Sequence, residues 1–372
     1  FWPMYQEIVG DKRSADIFRS DYYLRLVRNF RRFGWLILYL FGASPALCRS
    51  FGSVSELHMP VLRQDTFYQP YATSLRMSDL GYSNKTQAGI RLSLNDLDEY
   101  ITALSNAIKT PEPRYEEIGV KVGGEYRQLS TSTLQIENEY YSSVRPKRVA
   151  KSGERPTAAL RRGGIEYVEI RSLDVNLFDP AGINQNTMRF VEAFLLYCLL
   201  EDSPPFDDED LARSMRNHSR VARTGREPGL KLERSTGLVD LCDWALAIVD
   251  DVASLAELID AGEGGSDYAA AVGVMRKRVE DPSQTPSAML LDELQTGTAG
   301  YSEYVLGVAE SHRDYFLALR PLPERRQAAF EREVLESIQR QQDIEASDRL
   351  SLDEYLAAWF SDAAADGQAD TL

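Results

Sequence analysis

The stretch GGIEYVEIRSLDV, residues 163–175, decides how the rest of the sequence is interpreted. Successive side chains of a β-strand point to opposite faces. A strand here therefore predicts one face made of Ile165, Tyr167, Glu169, Arg171, Leu173 and Val175. The carboxylate of Glu169 and the guanidinium of Arg171 would lie about 7 Å apart along the strand, between apolar side chains. If this face lines a cleft, the carboxylate suits Mg²⁺ and the guanidinium suits a phosphoryl group. A solvated surface ion pair is the alternative.

The composition excludes several classes of protein. The chain has 372 residues and is acidic, with 42 Lys and Arg against 57 Asp and Glu and a net charge of -15, which disfavours nucleic acid as a partner. Its longest apolar run, residues 35–47, is too short to cross a bilayer, so we expect no membrane partner. The three cysteines lie far apart without metal or redox spacing, which favours reduced thiols and a cytoplasmic location.

The first half of the chain mixes helical and strand patterns. Apolar side chains at helical spacing predict one long helix over residues 21–41 and a second over 93–111, with Asn95 as its N-cap. Strands are predicted in the opening residues, at 88–94, in two runs around Gly123 and Gly124, and at 133–141. The Gly-Gly pair indicates a β-hairpin. Hairpins with helices between other strands favour a mainly antiparallel α+β fold.

Strand patterns stop at about residue 185, so the second half is predicted to be all-helical. We therefore divide the chain into a sheet region, residues 1–185, and a helical region, residues 186–372, and expect them to form one structural unit.

Two further segments collect polar side chains. Residues 75–87 place Arg76, Asp79, Tyr82, Asn84 and Lys85 on a loop beside the aromatic rings of YQPYATS. This loop is either ordinary surface or a site for a small zwitterion. In the segment 135–148, a strand would align Gln135, Glu137, Glu139 and Tyr141 before a basic loop of Arg145, Lys147 and Arg148. An exposed strand with a solvated turn is the alternative.

Five ordered segments together resemble one family. They are RNFRRFGWLILYLFGASPALC, YATSLRMSDLGYSNKTQ, QIENEYYSSVRPKR, RRGGIEYVEIRSLDVNLFDP and NHSRVARTGREPGL. In that order they resemble glutamate-cysteine ligase of the proteobacterial type, from near the start of the chain to about residue 230. The resemblance implies a fold related to glutamine synthetase, with a mainly antiparallel sheet curved into a funnel and helices around it.

The resemblance also implies a reaction and the residues that perform it. ATP would phosphorylate the γ-carboxylate of glutamate, and the amine of cysteine would displace the phosphate, with Mg²⁺ bridging the phosphates. Glu169 resembles a metal-binding glutamate, and Arg171 the catalytic arginine that contacts the transferred phosphoryl group of ATP. Arg76 resembles a residue that binds a substrate carboxylate, and Tyr82 and Tyr141 resemble walls of the amino-acid pocket.

The resemblance leaves three expectations and two alternatives. The family has further metal-binding glutamates and a histidine in a segment before the counterpart of Phe1, so we expect this chain to be the larger C-terminal part, with weak or no activity in isolation. We expect a monomer whose partners are ATP, glutamate and cysteine. The alternatives are a ligase of the same superfamily with another amine acceptor, and a catalytically incomplete fragment that binds amino acids.

Overall fold

The computed structural model of the chain describes residues 2–10, 13–52, 58–63, 65–81, 86–319 and 321–361. Its helices are α1 (Trp2–Val9), α2 (Ala15–Phe33), α3 (Trp35–Phe41), α4 (Leu97–Ala107), α5 (Pro113–Ile118), α6 (Pro156–Gly163), α7 (Gln185–Leu200), α8 (Asp208–Thr224), α9 (Leu241–Glu263), α10 (Asp267–Glu280), α11 (Pro286–Thr296), α12 (Tyr301–Ala318), α13 (Glu324–Ser347) and α14 (Leu352–Trp359). Its strands are β1 (Ala46–Cys48), β2 (Val61–Arg63), β3 (Thr66–Tyr68), β4 (Lys121–Val122), β5 (Glu125–Tyr126), β6 (Val144–Lys147), β7 (Tyr167–Ile170), β8 (Lys231–Arg234) and β9 (Gly237–Asp240).

The predicted helix over residues 21–41 is two helices, α2 and α3. Helix α2 begins at Ala15 because the side chain of Ser14 accepts a hydrogen bond from the Ile17 amide. Gly34 separates the two helices, and a Cβ added there would lie 2.4 Å from the Phe30 carbonyl oxygen. All seven residues of α3 are buried, so the apolar run of the sequence is a core helix.

The second predicted helix is present as α4, but its N-cap is Asp96 and not Asn95. The Asp96 side chain accepts a hydrogen bond from the Glu99 amide at 3.0 Å. Asn95 instead exchanges two hydrogen bonds with the main chain of Phe206, at 2.7 and 2.8 Å. A tertiary contact therefore takes the side chain that the capping pattern assigned to the helix.

The sheets of the described residues are small and antiparallel. They are one three-stranded sheet in the order β1-β3-β2 and three two-stranded ribbons, β4-β5, β6-β7 and β8-β9. The predicted hairpin is confirmed as β4-β5, with Gly123 and Gly124 both at positive φ in its turn. The mixed helix and antiparallel strand content agrees with an α+β fold, and none of the described sheets has more than three strands.

Three strand predictions are wrong. The opening residues form α1, residues 88–94 are irregular after a short 3-10 turn, and residues 133–141 contain a 3-10 turn at Glu137–Glu139. In the last two segments, main-chain carbonyls accept hydrogen bonds from arginine side chains instead of from a neighbouring strand. The guanidinium of Arg28 donates to the Leu94 carbonyl, and that of Arg145 donates to the carbonyls of residues 137, 138 and 140. The prediction of a basic loop of Arg145, Lys147 and Arg148 is also wrong, because Arg145 lies on β6 and is 2% exposed.

The prediction of an all-helical second half is wrong because of the ribbon β8-β9. Its strands pair Leu232 with Val239, and the turn ends at Gly237 with φ +124. Leu232 is completely buried. The alternating pattern that produces this ribbon is visible in LKLERSTGLVD, residues 230–240, between two much longer helical patterns.

One hydrophobic core joins the two halves of the chain. The rings of Phe30 and Phe194 lie 5.9 Å apart, and those of Trp35 and Trp244 lie 5.0 Å apart. By contrast, α12, α13 and α14 have no buried residue. Among the described residues, no helix combines the length and the apolarity that crossing a membrane requires.

Candidate active site

The ribbon β6-β7 separates apolar from charged side chains. Residues paired across an antiparallel ribbon have side chains on the same face. The pairs Val144 with Ile170 and Pro146 with Val168 form the apolar face, where Val144 is buried in the core shared with α2. The pairs Arg145 with Glu169 and Lys147 with Tyr167 form the opposite face. We call this second face, together with Arg171, the charged face.

The charged face carries more cationic than anionic groups. The Arg171 guanidinium contacts Glu169 Oε2 at 2.9 Å, and Lys147 Nζ lies 3.9 Å from the same oxygen. Burial, with the nearby charge of Arg145, lowers the pKa of Lys147, while Glu169 acts in the opposite direction. The side chains of Arg171 and Glu169 are 28% and 34% exposed, so the predicted pair is partly buried and still reachable by a ligand.

Arg76 lies next to this face, on a 3-10 turn (Leu75–Met77). Its Nη2 donates to the carbonyls of Arg171 at 3.1 Å and Leu173 at 2.8 Å, and its Nη1 lies 3.4 Å from the Tyr141 hydroxyl. The Tyr141 hydroxyl also lies 3.4 Å from the Arg171 carbonyl. The structure therefore brings together Arg76, Tyr141 and the backbone that carries Arg171.

A buried carboxylate, Asp174, orients Arg76. Its side chain is 3% exposed and accepts hydrogen bonds from Arg76 Nε at 2.6 Å, from the Ala43 amide at 2.8 Å and from the Ser44 hydroxyl at 2.8 Å. Burial opposes the charge of Arg76, but the hydrogen bonds and charges of Asp174 and Tyr141 together outweigh it and raise the pKa of Arg76. Arg76 is therefore held as a cation in one orientation.

A second buried ion pair, between Glu137 and Arg155, lies next to β6. Glu137 is fully buried, and its Oε1 accepts hydrogen bonds from Arg155 Nε at 2.8 Å and Thr157 Oγ1 at 2.7 Å. Arg145 donates to the main-chain carbonyl of Glu137 at 3.1 Å. The predicted grouping of Gln135, Glu137, Glu139 and Tyr141 on one strand face is therefore wrong. Glu137 points into the protein interior, and of the four side chains only that of Tyr141 contacts Arg76.

A cavity of about 290 Å³ adjoins the charged face. It is lined by Tyr100, Leu104, Asn138, Arg145, Pro146, Lys147, Arg148, Val149, Ala150, Pro156, Leu160 and Tyr167. Three buried polar atoms of these residues have no hydrogen-bond partner among the described atoms: the Tyr100 hydroxyl and the Nε atoms of Arg145 and Arg148. Such a lining, part cationic and part apolar, suits a ligand that carries both an anionic group and a flat apolar one.

The structure brings four of the five predicted site residues into one region: Arg76, Tyr141, Glu169 and Arg171. The fifth, Tyr82, lies outside the described residues. Sequence reasoning missed Asp174, because it extended the strand alternation to residue 175 and assigned Asp174 to the opposite face. Strand β7 ends at Ile170, so that alternation does not apply. The sequence pattern misses Lys147 as a site residue because it assigns Lys147 to a basic loop, whereas Lys147 lies on β6.

The described residues do not make a complete Mg²⁺ site. Within them, no group of three or more His, Cys, Asp or Glu side chains is arranged to hold a metal ion. Glu169 is one suitable oxygen ligand, and it is bound by Arg171 in this structure. The role of Glu169 in metal binding stays a prediction.

Comparison with known proteins agrees with the sequence resemblance. Residues 1–221 match the family described as Glutamate-cysteine ligase. The glutamate-cysteine ligase of Alcanivorax borkumensis is 44% identical over 367 residues, which cover 97% of this chain and 70% of the relative. This chain belongs to the glutamate-cysteine ligase family. The enzyme of that name from Shewanella oneidensis is 45% identical over 362 residues, covering 96% of this chain and 69% of the relative.

Solved structures of two proteins have a similar fold. The crystal structure of glutamate-cysteine ligase from Francisella tularensis in complex with AMP has a TM-score of 0.85 and 34% identity, covering 92% of this chain and 68% of that chain. A bifunctional glutathione synthetase from Pasteurella multocida has a TM-score of 0.63 and covers 84% of this chain and 34% of that chain. At 22% identity the second similarity supports the fold alone.

Proposed function

We propose that this chain forms γ-glutamylcysteine from glutamate and cysteine with ATP, the first step of glutathione synthesis. Family membership supports the reaction class, and the names of the relatives supply the substrates. The observation that carries the proposal is that the Arg76 guanidinium and the Tyr141 hydroxyl both contact the main-chain carbonyl of Arg171, whose side chain belongs to the charged face. The cations of the charged face lie beside Arg76 and Tyr141, so a phosphoryl group and an amino-acid carboxylate can be bound next to each other.

The proposed reaction has two steps. An oxygen of the glutamate γ-carboxylate attacks the γ-phosphorus of ATP, which forms γ-glutamyl phosphate and releases ADP. The cysteine amine then attacks the acyl carbon, inorganic phosphate leaves, and the amine loses a proton as the amide forms. Both steps develop negative charge on phosphoryl oxygens, so fixed cations lower the barrier more than covalent groups would.

Arg171 and Lys147 neutralise this charge in the proposed mechanism. Glu169 fixes the Arg171 guanidinium at 2.9 Å, which pre-orients its donors before the substrate binds. Lys147 contributes a point charge on the same face, and its partial burial strengthens attraction to an anion. We propose that the transferred phosphoryl group lies between these two side chains.

The cavity beside Lys147 is our proposed position for the nucleoside part of ATP. Its apolar walls, formed by Leu104, Pro156 and Leu160, suit a base, and Lys147 lies between the cavity and Glu169. The AMP complex of the Francisella tularensis enzyme supports nucleotide use in this family.

Mg²⁺ belongs to the proposal only as an expectation for Glu169. Glu169 would be one oxygen ligand of Mg²⁺, which would supply positive charge that neutralises phosphate, but the described residues provide this one carboxylate and not a complete ligand set. Every step assigned above therefore rests on side chains of this chain.

Arg76 and Tyr141 are proposed to bind an amino-acid substrate. The guanidinium of Arg76 is oriented by Asp174, and the Tyr141 hydroxyl lies beside it, so a carboxylate approaching Arg76 also meets a hydroxyl. Tyr82 keeps its predicted place in the same pocket as a proposal.

The organisation of the protein completes the proposal. We propose that residues 1–185 and 186–372 act as one structural unit and that the antiparallel ribbons belong to a larger curved funnel. The protein is proposed to act as a cytoplasmic monomer on ATP, glutamate and cysteine.

Incubation of the full-length gene product with ATP, Mg²⁺ and glutamate tests the function. With cysteine present we expect ADP and γ-glutamylcysteine in equal amounts, measured by mass spectrometry. Replacing cysteine by other amines should lower the rate by about 10-fold or more, since unfilled polar groups penalise a poorer substrate. A higher rate with another amine would instead assign the chain to a ligase with a different acceptor. ADP formation that does not depend on glutamate would contradict the proposal.

A further inference from the structure

We propose that Arg226, just after the C-terminus of α8, is a positioning residue that fixes Arg76 in the amino-acid site. Arg226 belongs to the segment NHSRVARTGREPGL, which the proposed mechanism does not use. The inference rests on the proposed function of Arg76 in binding an amino-acid substrate.

The C-terminus of α8 is bound to the segment that leads into Arg76. The last carbonyls of a helix have no partner within the helix and must be satisfied elsewhere. Here the amides of Thr73 and Ser74 both donate to the Ala222 carbonyl at 3.1 Å. The Thr73 hydroxyl donates to the Val221 carbonyl at 2.9 Å. The helix end and the segment therefore complete each other's hydrogen bonding.

Arg226 adds further hydrogen bonds between the end of α8 and the same segment. Its amide donates to the Tyr71 carbonyl at 3.0 Å. Its Nη2 donates to the carbonyls of Pro70 at 2.9 Å and Ala72 at 3.2 Å. Ala72 is fully buried, so its carbonyl would lose this partner if the guanidinium were removed. Arg226 is half-buried, and this burial lowers the pKa of its guanidinium to about 10.

Gly225 allows the two backbones to approach. A Cβ added at Gly225 would lie 2.8 Å from Thr73 Cγ2, closer than side-chain atoms normally come. The glycine-arginine pair therefore acts as a single contact: the glycine permits the approach, and the arginine binds the carbonyls that follow from it.

The other edge of the same segment is bound to the carboxylate that orients Arg76. The Leu75 amide donates to the Ser44 carbonyl at 2.8 Å, and the Ser44 hydroxyl accepts from the Arg76 amide at 3.3 Å. The Ser44 hydroxyl donates to Asp174, which binds Arg76 Nε. Residues 70–76 are thus held between α8 and Asp174, and loosening the α8 side releases the backbone that carries Arg76.

Kinetics of the full-length enzyme test this inference. Arg226→Ala should raise the KM for glutamate or cysteine by about 10-fold, because misplacing a binding group weakens the contact it makes. The KM for ATP should change less than about 2-fold, since the charged face is not touched. Arg226→Lys keeps one cationic donor and should recover part of the loss, and added guanidinium ion should recover part of it in Arg226→Ala.

Arg220→Ala is the matched control. Arg220 lies on α8 and also donates to a main-chain carbonyl, that of Lys231 on β8, which is not part of residues 70–76. Its substitution should leave both KM values unchanged. A folded Arg226→Ala enzyme with an unchanged amino-acid KM, or with an equal rise in the KM for ATP, would overturn the inference.

Hydrogen exchange separates this inference from the proposed function. In Arg226→Ala, or in Arg226→Lys if the alanine variant does not fold, the amides of Thr73 and Ser74 should exchange at least about 10-fold faster, while Arg220→Ala leaves them protected. Unchanged exchange would refute the positioning role even in an active enzyme. A wild-type protein without ligase activity, but with faster exchange in the variant, would refute the function and retain the positioning.

Discussion

The segment that carries Arg76 and the charged face of β6-β7 lie side by side, but their cations have different counter-ions. Arg76 is bound by Asp174, which is 3% exposed and accepts three hydrogen bonds from the protein. On the charged face, Arg171 and Lys147 share one partly exposed carboxylate, that of Glu169. The buried Asp174 carboxylate fixes the geometry of Arg76, whose side chain is still 28% exposed and can meet a substrate carboxylate, whereas the charged face has more positive than negative charge and can neutralise a phosphoryl group.

Removing the charge of Asp174 should produce the largest effect, on stability. In Asp174→Asn one carboxylate oxygen is replaced by an amide nitrogen, which would face either Arg76 or the Ala43 amide with N–H donors, and the partly buried Arg76 guanidinium would lose its counter-charge. Breaking a buried ion pair costs about 3–5 kcal/mol. Urea denaturation should show this loss, whereas Asp267→Asn, at a surface pair that is 67% exposed on the acid side, should change stability by less than about 0.5 kcal/mol. Equal losses in the free energy of unfolding for the two variants would contradict a special stabilising role of Asp174.

Removing Arg171 should affect activity and leave the fold intact. Arg171→Ala deletes a partly exposed ion pair, so stability should fall by no more than about 1 kcal/mol. Turnover should fall about 100- to 1,000-fold, because the group stabilises charge in the transition state. Steady-state kinetics measures the change in turnover, and thermal melting measures the change in stability. Arg171→Lys should recover only part of the rate. Turnover close to wild type would remove Arg171 from the site.

Lys147 predicts a pH effect of definite sign. Its folded-state pKa is lowered by burial, so the unfolded state binds the proton more readily between the folded value and about 10.4. Lys147 therefore carries a stability penalty below its folded pKa, and the penalty is relieved as pH rises through that window. Its attraction for ATP is lost over the same rise.

The matched measurement is the KM for ATP as a function of pH. Lys147→Gln should raise this KM by about 10-fold near pH 7, the loss expected for one charge-assisted contact. Lys147→Arg should keep the KM low and move its rise to higher pH, since a guanidinium does not deprotonate there. A KM that rises at the same pH in Lys147→Arg and wild type would assign the pH effect to another group.

The smallest effect is expected at Tyr141, where the two regions meet. Its hydroxyl lies 3.4 Å from both Arg76 Nη1 and the Arg171 carbonyl, distances typical of weak hydrogen bonds. Tyr141→Phe keeps the ring and should raise the KM of an amino-acid substrate by about 3- to 10-fold. A loss in turnover as large as that of Arg171→Ala would show that the hydroxyl takes part in chemistry.

The sequence predicts features that depend on neighbours along the chain better than those that depend on distant partners. The Gly-Gly turn of β4-β5 and the pairing of Glu169 with Arg171 are local, and both are found. Residues 133–141 read as a strand, yet their carbonyls are taken by the side chain of Arg145. Asp174 meets Arg76 from 98 positions away, and no periodicity encodes that contact.

The resemblance to a family supplied what periodicity could not. The segments that resemble the family predict Arg76 and Tyr141 as site residues, and in the structure both contact the main-chain carbonyl of Arg171. The sequence patterns miss the small ribbon β8-β9 because two long helical patterns surround it, although Leu230 and Leu232 alternate with polar residues and Leu232 pairs with Val239 across the ribbon. Short strands between long helices are where single-sequence patterns are weakest.

A crystal structure of the full-length protein with Mg²⁺, glutamate and a non-hydrolysable ATP analogue tests the central claim most directly. We predict a γ-phosphate oxygen about 3 Å from the Arg171 guanidinium, the Lys147 ammonium on the same phosphates, and the base in the cavity lined by Leu104 and Leu160. A nucleotide bound elsewhere, with Arg171 and Glu169 still paired and facing only solvent, would contradict the account.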